Sequence, residues 1–138
     1  GGYTPFDGAD YNYYTTTKGI LEKVKTHAGD VDFAVQPELL SLFSSGDFGR
    51  YADEKGKMNV CFISNNDITG GNSGSAMFND KGELLGLAFD GNWEAMSSDI
   101  LYEPNMQRTI GVDVRYMLFM IEKYGKAGSL IKELKIAR

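Results

Sequence analysis

One cysteine, one histidine and three prolines are all that this chain of 138 residues holds of those types. A lone thiol, Cys61, cannot close an internal disulfide, so composition leaves the redox compartment open. Placed in the apolar run Asn59-Val60-Cys61-Phe62-Ile63, it reads as a buried structural thiol. A single histidine with a single cysteine cannot build a zinc site, and Asp67, Asp90 and Asp99 lack the spacing of a Ca²⁺ loop. No metal or other cofactor is therefore expected. Lys and Arg together number 14 against 19 Asp and Glu, a formal charge of -5. That balance argues against a nucleic-acid partner, which would need clustered cations. No apolar run approaches the roughly 20 residues that span a bilayer. An initiator Met and a signal peptide are also missing. The start Gly1-Gly2-Tyr3 reads as that of a processed or engineered piece of something longer, with residues 1–10 a linker remnant.

What is present is glycine and tyrosine, 17 and 8 residues, which favours strands joined by tight turns. A chain of this length can bury roughly two-thirds of the surface it exposes when unfolded, enough for one core. Tyr11 to Thr17 is rich in β-branched and aromatic residues and reads as a strand that Gly19 ends. Gln36 to Phe43 reads as a short helix, with Pro37 in its first turn and Gly46 beyond its end. Met58 to Ser64 reads as a buried strand. Ser75 to Phe78 and Glu83 to Phe89 form a hairpin about Asn79-Asp80-Lys81-Gly82. The run Leu84, Leu85, Leu87, Ala88, Phe89 is too continuous for a strand with one wet face, which places it in the core. Thr109 to Val112 reads as a last strand. From Asp113 the period becomes helical, with Val114, Met117, Leu118 and Ile121 on one face and Gly125 closing the run; Ser129 to Ile136 reads as a second helix. The expected fold is mainly β with C-terminal helices, in one domain over residues 11–138.

The segment that carries chemistry is Asp67-Ile68-Thr69-Gly70-Gly71-Asn72-Ser73-Gly74-Ser75. A hydroxyl attacks well only with a base nearby and preorganised donors for the developing oxyanion. Glycines on both sides of Ser73 let the backbone turn the N–H groups of Gly71 and Ser73 toward one point. One such donor is typically worth about a hundred- to a thousand-fold in rate. The pattern is not the Gly-x-Ser-x-Gly elbow, because position 75 is Ser. It is close to the Gly-Asp-Ser-Gly-Gly loop of chymotrypsin-like peptidases. A plain surface turn is the competing reading, and the two apolar strands that flank the loop weigh against it.

Three blocks extend the likeness: Asn66 to Ser75; Gly82-Glu83-Leu84-Leu85-Gly86-Leu87-Ala88-Phe89-Asp90-Gly91-Asn92-Trp93-Glu94-Ala95-Met96; and Gln107-Arg108-Thr109-Ile110. In this order they resemble the bacterial dipeptidyl-peptidase 7 and 11 family of chymotrypsin-like serine peptidases, from about Tyr13 to Leu134. The resemblance implies an exopeptidase that releases dipeptides from a free N-terminus and is periplasmic or exposed at the cell surface. It implies that residues 11–138 are the second β-barrel of a two-barrel fold, which also carries a helical domain elsewhere in the chain. It assigns Ser73 as nucleophile, Gly71 and Ser73 as oxyanion donors, and Asp90 as the contact for the substrate α-ammonium. An α-amino group with a pKa near 7.7 to 8.0 is largely cationic at neutral pH, so a carboxylate beside it selects for free N-termini. A turn aspartate at a strand end is the other reading of Asp90. Members of the family that cut after Asp or Glu carry Arg at the position of Gly91, where a guanidinium pairs with the substrate carboxylate. Gly91 then implies a preference for apolar or aromatic residues before the cleaved bond, unless the glycine is there for the turn before Asn92-Trp93 alone. Ala76 departs from the family, which has Pro there. Trp93 reads as an indole packed on the barrel rim.

A serine triad also needs a histidine and a carboxylate. His27 lies in the polar turn Lys25 to Asp30, and the resemblance places the family's His and Asp upstream, in the first barrel. Without a base, triad deletions lose about four to six orders of magnitude, so the chain alone is expected to be inactive. No Lys stands at a spacing that suggests a Ser–Lys dyad. The expected partners are peptides with a free N-terminus and the upstream barrel and helical domain of the same longer chain. An orphan half-barrel would expose the wall its partner covers, and a dimer through that wall is expected. The rival reading is a non-catalytic module that binds peptide termini through Asp90 and a pocket at Gly91; an interaction domain built on the C-terminal helix has only amphipathicity behind it.

Overall fold

The computed structural model describes residues 13–97 and 100–137. Residues 1–10, expected as a linker remnant, and Tyr11, Asn12 and Asp99 lie outside the described residues. The chain clusters into two compact units, one of residues up to 15 with 61–114, the other of 16–60 with 115 onward.

The first unit is built on a five-stranded sheet of β1 (Tyr14–Thr16), β2 (Asn59–Ser64), β3 (Ala76–Phe78), β4 (Leu84–Gly91) and β5 (Thr109–Asp113), in the order β1-β2-β5-β4-β3. The pairings β2–β5, β5–β4 and β4–β3 are antiparallel, with Phe62 opposite Gly111, Leu87 opposite Val112 and Ala76 opposite Leu87. Two of these strands carry a glycine where a ring needs the space. A Cβ on Gly111 would stand 2.9 Å from Phe62 Cζ and 2.6 Å from Met77 Sδ; one on Gly86 would stand 2.0 Å from the Val112 carbonyl oxygen. The β3–β4 hairpin closes as expected, with the Asn79 N–H donating to Glu83 O and the Gly82 N–H to Asn79 O.

The second unit is helical: α1 (Thr17–Thr26), α2 (Pro37–Ser45), α3 (Val114–Phe119) running into one π-helical turn (Met120–Tyr124), and α4 (Gly128–Glu133). Pro37 opens α2 and Gly46 closes it in the left-handed region at φ 67°. Its core is Phe43, Phe48, Tyr51, Met58 and Phe119. Phe119 meets Phe48 and Tyr51 edge to face, with centroids 5.7 and 6.3 Å apart, the geometry favoured by the ring quadrupole.

Three expectations need correction. Helices cover more of the described residues than strands, so the fold is mixed rather than mainly β. Thr15 to Thr17 turns from strand to helix: α1 runs through Gly19, because Ile20, Leu21 and Val24 recur at helical spacing and Ile20 and Leu21 pack on the core. And β4 is not a core strand throughout. Gly86 and Ala88 are buried, but Leu84, Leu85 and Phe89 are 39%, 43% and 45% exposed. Cys61 is partly buried, and burial pushes its thiol pKa up.

Candidate functional site

The Ser73 loop is wound from two consecutive four-residue turns. The Asn72 N–H donates to Thr69 O at 3.2 Å, and the Ser75 N–H donates to Asn72 O at 2.9 Å. Each turn has glycine at its third position with a positive φ, Gly71 at 97° and Gly74 at 88°. That backbone is the reason for the two glycines, since a Cβ is strained there. The Asn72 side chain fastens the first turn, its Oδ1 accepting from the Thr69 N–H at 2.9 Å and from the Thr69 hydroxyl at 3.3 Å. The second turn is tied to β4: the Gly74 N–H donates to Ala88 O at 2.7 Å and the Ala88 N–H to Ser75 O at 2.9 Å. Among the described residues, no acceptor takes the N–H of Gly71 or of Ser73. The Ser73 hydroxyl is exposed and donates to Phe89 O at 3.3 Å.

That last contact depends on an irregularity in β4. Ala88 pairs with Gly111 and Asp90 with Ile110, so Phe89 is an extra residue, a β-bulge. Bulges re-aim side chains and gather next to active sites. Beyond it, Asp90 is exposed, and its Oδ1 accepts the Gly91 N–H at 2.8 Å.

Ser73, Phe89, Asp90 and Gly91 line one cavity of about 240 Å³, with Ile68, Thr69, Gly70, Asn92, Ala95 and Met96. Gly71 is not in its wall. The cavity is closed on one side by the 3₁₀ turn Trp93–Ser97, which the Ala95 N–H ties to Asn92 O at 2.9 Å. Trp93 is 81% exposed and does not line the cavity, so it is packed neither on a rim nor in the cleft within this chain. Asn92, Ala95 and the Phe89 bulge were not singled out from the sequence. A bulge leaves no signature in a run as uniformly apolar as Leu84 to Phe89.

His27 closes α1 in the helical unit. Its Nδ1 lies 2.9 Å from Thr26 Oγ1 and its ring stacks on Phe33 at 4.2 Å. It is not among the residues that line the Ser73 cavity. Among the described residues no three His, Cys, Asp or Glu side chains gather where they could hold a metal ion.

A family model described as peptidase S46 matches residues 1–136. Dipeptidyl-peptidase 7 of Porphyromonas endodontalis is 60% identical over 137 residues, 99% of this chain and 16% of that protein. An Asp/Glu-specific dipeptidyl-peptidase of Capnocytophaga gingivalis is 46% identical over 137 residues, 99% of this chain and 19% of that protein. The crystal structure of Porphyromonas endodontalis DPP11 in complex with the dipeptide Arg-Asp superposes with a TM-score of 0.91 at 42% identity, covering 97% of this chain and 19% of that one. The chain thus spans less than a fifth of the length of these relatives.

Proposed function

Since the chain belongs to the peptidase S46 family, we propose that it is the nucleophile-bearing part of a serine-type dipeptidyl-peptidase that releases dipeptides from free N-termini and prefers apolar or aromatic residues before the cleaved bond. One observation carries the reading: an exposed Ser73 hydroxyl stands in a loop whose Gly71 and Ser73 amides are without acceptors, beside a cavity with a carboxylate in its wall.

The chemistry follows from the groups present. Ser73 Oγ attacks the carbonyl carbon of the bond after the second residue, and the Gly71 and Ser73 N–H groups receive the oxyanion. The hydroxyl must turn from Phe89 O to give its proton to a base, which passes it to the leaving amine as the C–N bond breaks, and water then releases the dipeptide from Ser73; the family resemblance puts that imidazole and its carboxylate in the upstream barrel of the longer protein. Asp90 holds the α-ammonium through the carboxylate oxygen that the Gly91 N–H does not occupy. A substrate with a blocked N-terminus leaves that carboxylate unpaired, and selectivity for free termini follows. For the side chain before the cleaved bond, the cavity offers Ile68, Gly91, Ala95 and Met96, and none of its ten lining residues is Lys or Arg. An aliphatic or aromatic group is welcome there; a carboxylate finds no counter-charge. The periplasm or the cell surface is the compartment in which such an enzyme meets peptides.

The test uses the longer protein with dipeptidyl fluorogenic substrates and a fluorophosphonate probe. We expect hydrolysis favouring Leu or Phe over Asp or Glu, covalent labelling, and loss of both in Ser73→Ala; the present chain alone should be inactive. Turnover that survives in Ser73→Ala would remove the serine mechanism. Peptide binding in the folded long protein with neither labelling nor turnover would turn the site into a terminus-binding module.

A further inference from the structure

We propose that Ala95 is a second specificity-determining residue of this cavity, coupled sterically to Gly91, so that a side chain enters at position 91 only when position 95 gives up its methyl. The inference rests on reading the cavity as the pocket for the residue before the cleaved bond.

A Cβ placed on Gly91 stands 2.8 Å from the Ala95 Cβ, 3.4 Å from Ile68 Cγ2 and 3.7 Å from Arg108 O. Carbon atoms pack at about 3.5 to 4.0 Å, so the first of these is a clash. The backbone is not the obstacle. Gly91 lies outside the left-handed region, at the end of β4 and paired with Thr109, in a conformation open to other residues. What requires glycine at 91 is therefore the methyl of Ala95, not a turn.

Ala95 has no room to yield. Its methyl is its whole side chain, it is 9% exposed, and its N–H is bonded to Asn92 O at 2.9 Å. Asn92 is held by four further bonds. Its N–H donates to Arg108 O at 2.9 Å, its Oδ1 accepts the Arg108 N–H at 2.8 Å, and its Nδ2 donates to Met106 O at 2.8 Å and Glu94 Oε2 at 2.7 Å. Arg108 itself is 4% exposed, with its guanidinium donating to the carbonyls of Pro104, Gln107 and Asn105. The wall bearing Ala95 is thus tied to a buried framework, and close packing turns one methyl into a barrier. A neutral pocket corresponds to Gly at 91 with Ala at 95. A guanidinium at 91 would need Gly at 95 to make the room.

The experiment compares the full-length enzyme with Gly91→Arg, Ala95→Gly and the double variant on substrates with Leu, Phe, Asp or Glu before the cleaved bond. Gly91→Arg alone should lose Leu and Phe turnover without gaining Asp or Glu. The double variant should gain the acidic substrates, and its acidic-over-apolar ratio of kcat/KM should exceed the product of the two single effects by about tenfold or more. If Gly91→Arg alone reaches the ratio of the double variant, or the effects simply multiply, the coupling is refuted. A second cycle is independent of turnover: Gly91→Ala should lower Tm, and Ala95→Gly added to it should restore part of the loss. Additive midpoints would also refute the coupling. If the wild type releases no dipeptide, the functional reading falls, while the thermal cycle still decides whether the two positions clash.

Discussion

Tyr51 is 2% exposed, yet its hydroxyl is the short arm of a polar cluster, donating to Glu122 Oε2 at 2.6 Å. Arg50 completes it, its Nη2 reaching Glu122 Oε1 at 3.1 Å and the Tyr51 oxygen at 3.2 Å. The Tyr51 hydroxyl, and after it Arg50, hold the Glu122 carboxyl below the usual range. The consequence has a definite sign. A carboxylate with a lowered pKa in the folded state lets the unfolded chain take the proton first. Stability is then present above about pH 4.5 and is lost as pH falls through the folded pKa. Tyr51→Phe removes the larger cause. We expect a lower Tm at neutral pH and a shallower fall of Tm down to about pH 3 than in the wild type. Asp53, held low by the N–H groups of Lys57 and Lys55, keeps its share of the acid slope in both proteins, so the difference isolates Glu122. Equal slopes would detach Glu122 from acid stability.

At the scale of elements, the sheet is tuned by one ring over two glycines. An added methyl at Gly86 meets the Val112 carbonyl, which is backbone of the neighbouring strand, whereas at Gly111 it meets the ends of the Met77 and Phe62 side chains. Ends of side chains move more readily than a paired strand. Gly86→Ala should therefore cost more than Gly111→Ala, within the range of about 1 to 3 kcal/mol typical of overpacking. Urea midpoints would show the order, and a reversed order would mean that the Phe62 ring is the stiffer neighbour. The same strands explain what the sequence disclosed. Asn59 to Ser64, the β3–β4 hairpin and Thr109 onward were legible because period and turn residues agree in them. The helix from Thr17 was not, because three threonines and Gly19 speak for a strand and its end, and contacts with Phe43 and its neighbours decide otherwise. The Ser73 loop was legible because its glycines are demanded by positive φ. Asn92 and Ala95 were not: Asn92 acts through Arg108, 16 positions away, and the Ala95 methyl meets position 91 only because of the turn between them, which no local pattern records.

For the molecule as a whole, the largest fact is what its sheet unit leaves uncovered: Phe78 is 60%, Trp93 81% and Ile100 93% exposed, beside the half-open leucines of β4. Large apolar side chains left this open are candidates for cover by a partner surface. In a chain that spans less than a fifth of its relatives' length, this surface belongs to the remainder of the protein in our reading. The isolated chain should accordingly self-associate with rising concentration in sedimentation, through a contact that disappears in the longer protein. A dimer that persists unchanged there would refute the idea. The bulge in β4 bears on the same separation between what folds and what works. Ala88 and Asp90 occupy neighbouring rungs of the ladder with β5, so the ladder would close without Phe89 and more regularly. Its carbonyl is nevertheless the one on which the Ser73 hydroxyl rests. Phe89 is a surplus to the architecture and, on the proposed function, a necessity to the chemistry, and shortening β4 by that one residue would leave a sound sheet with its serine unmoored.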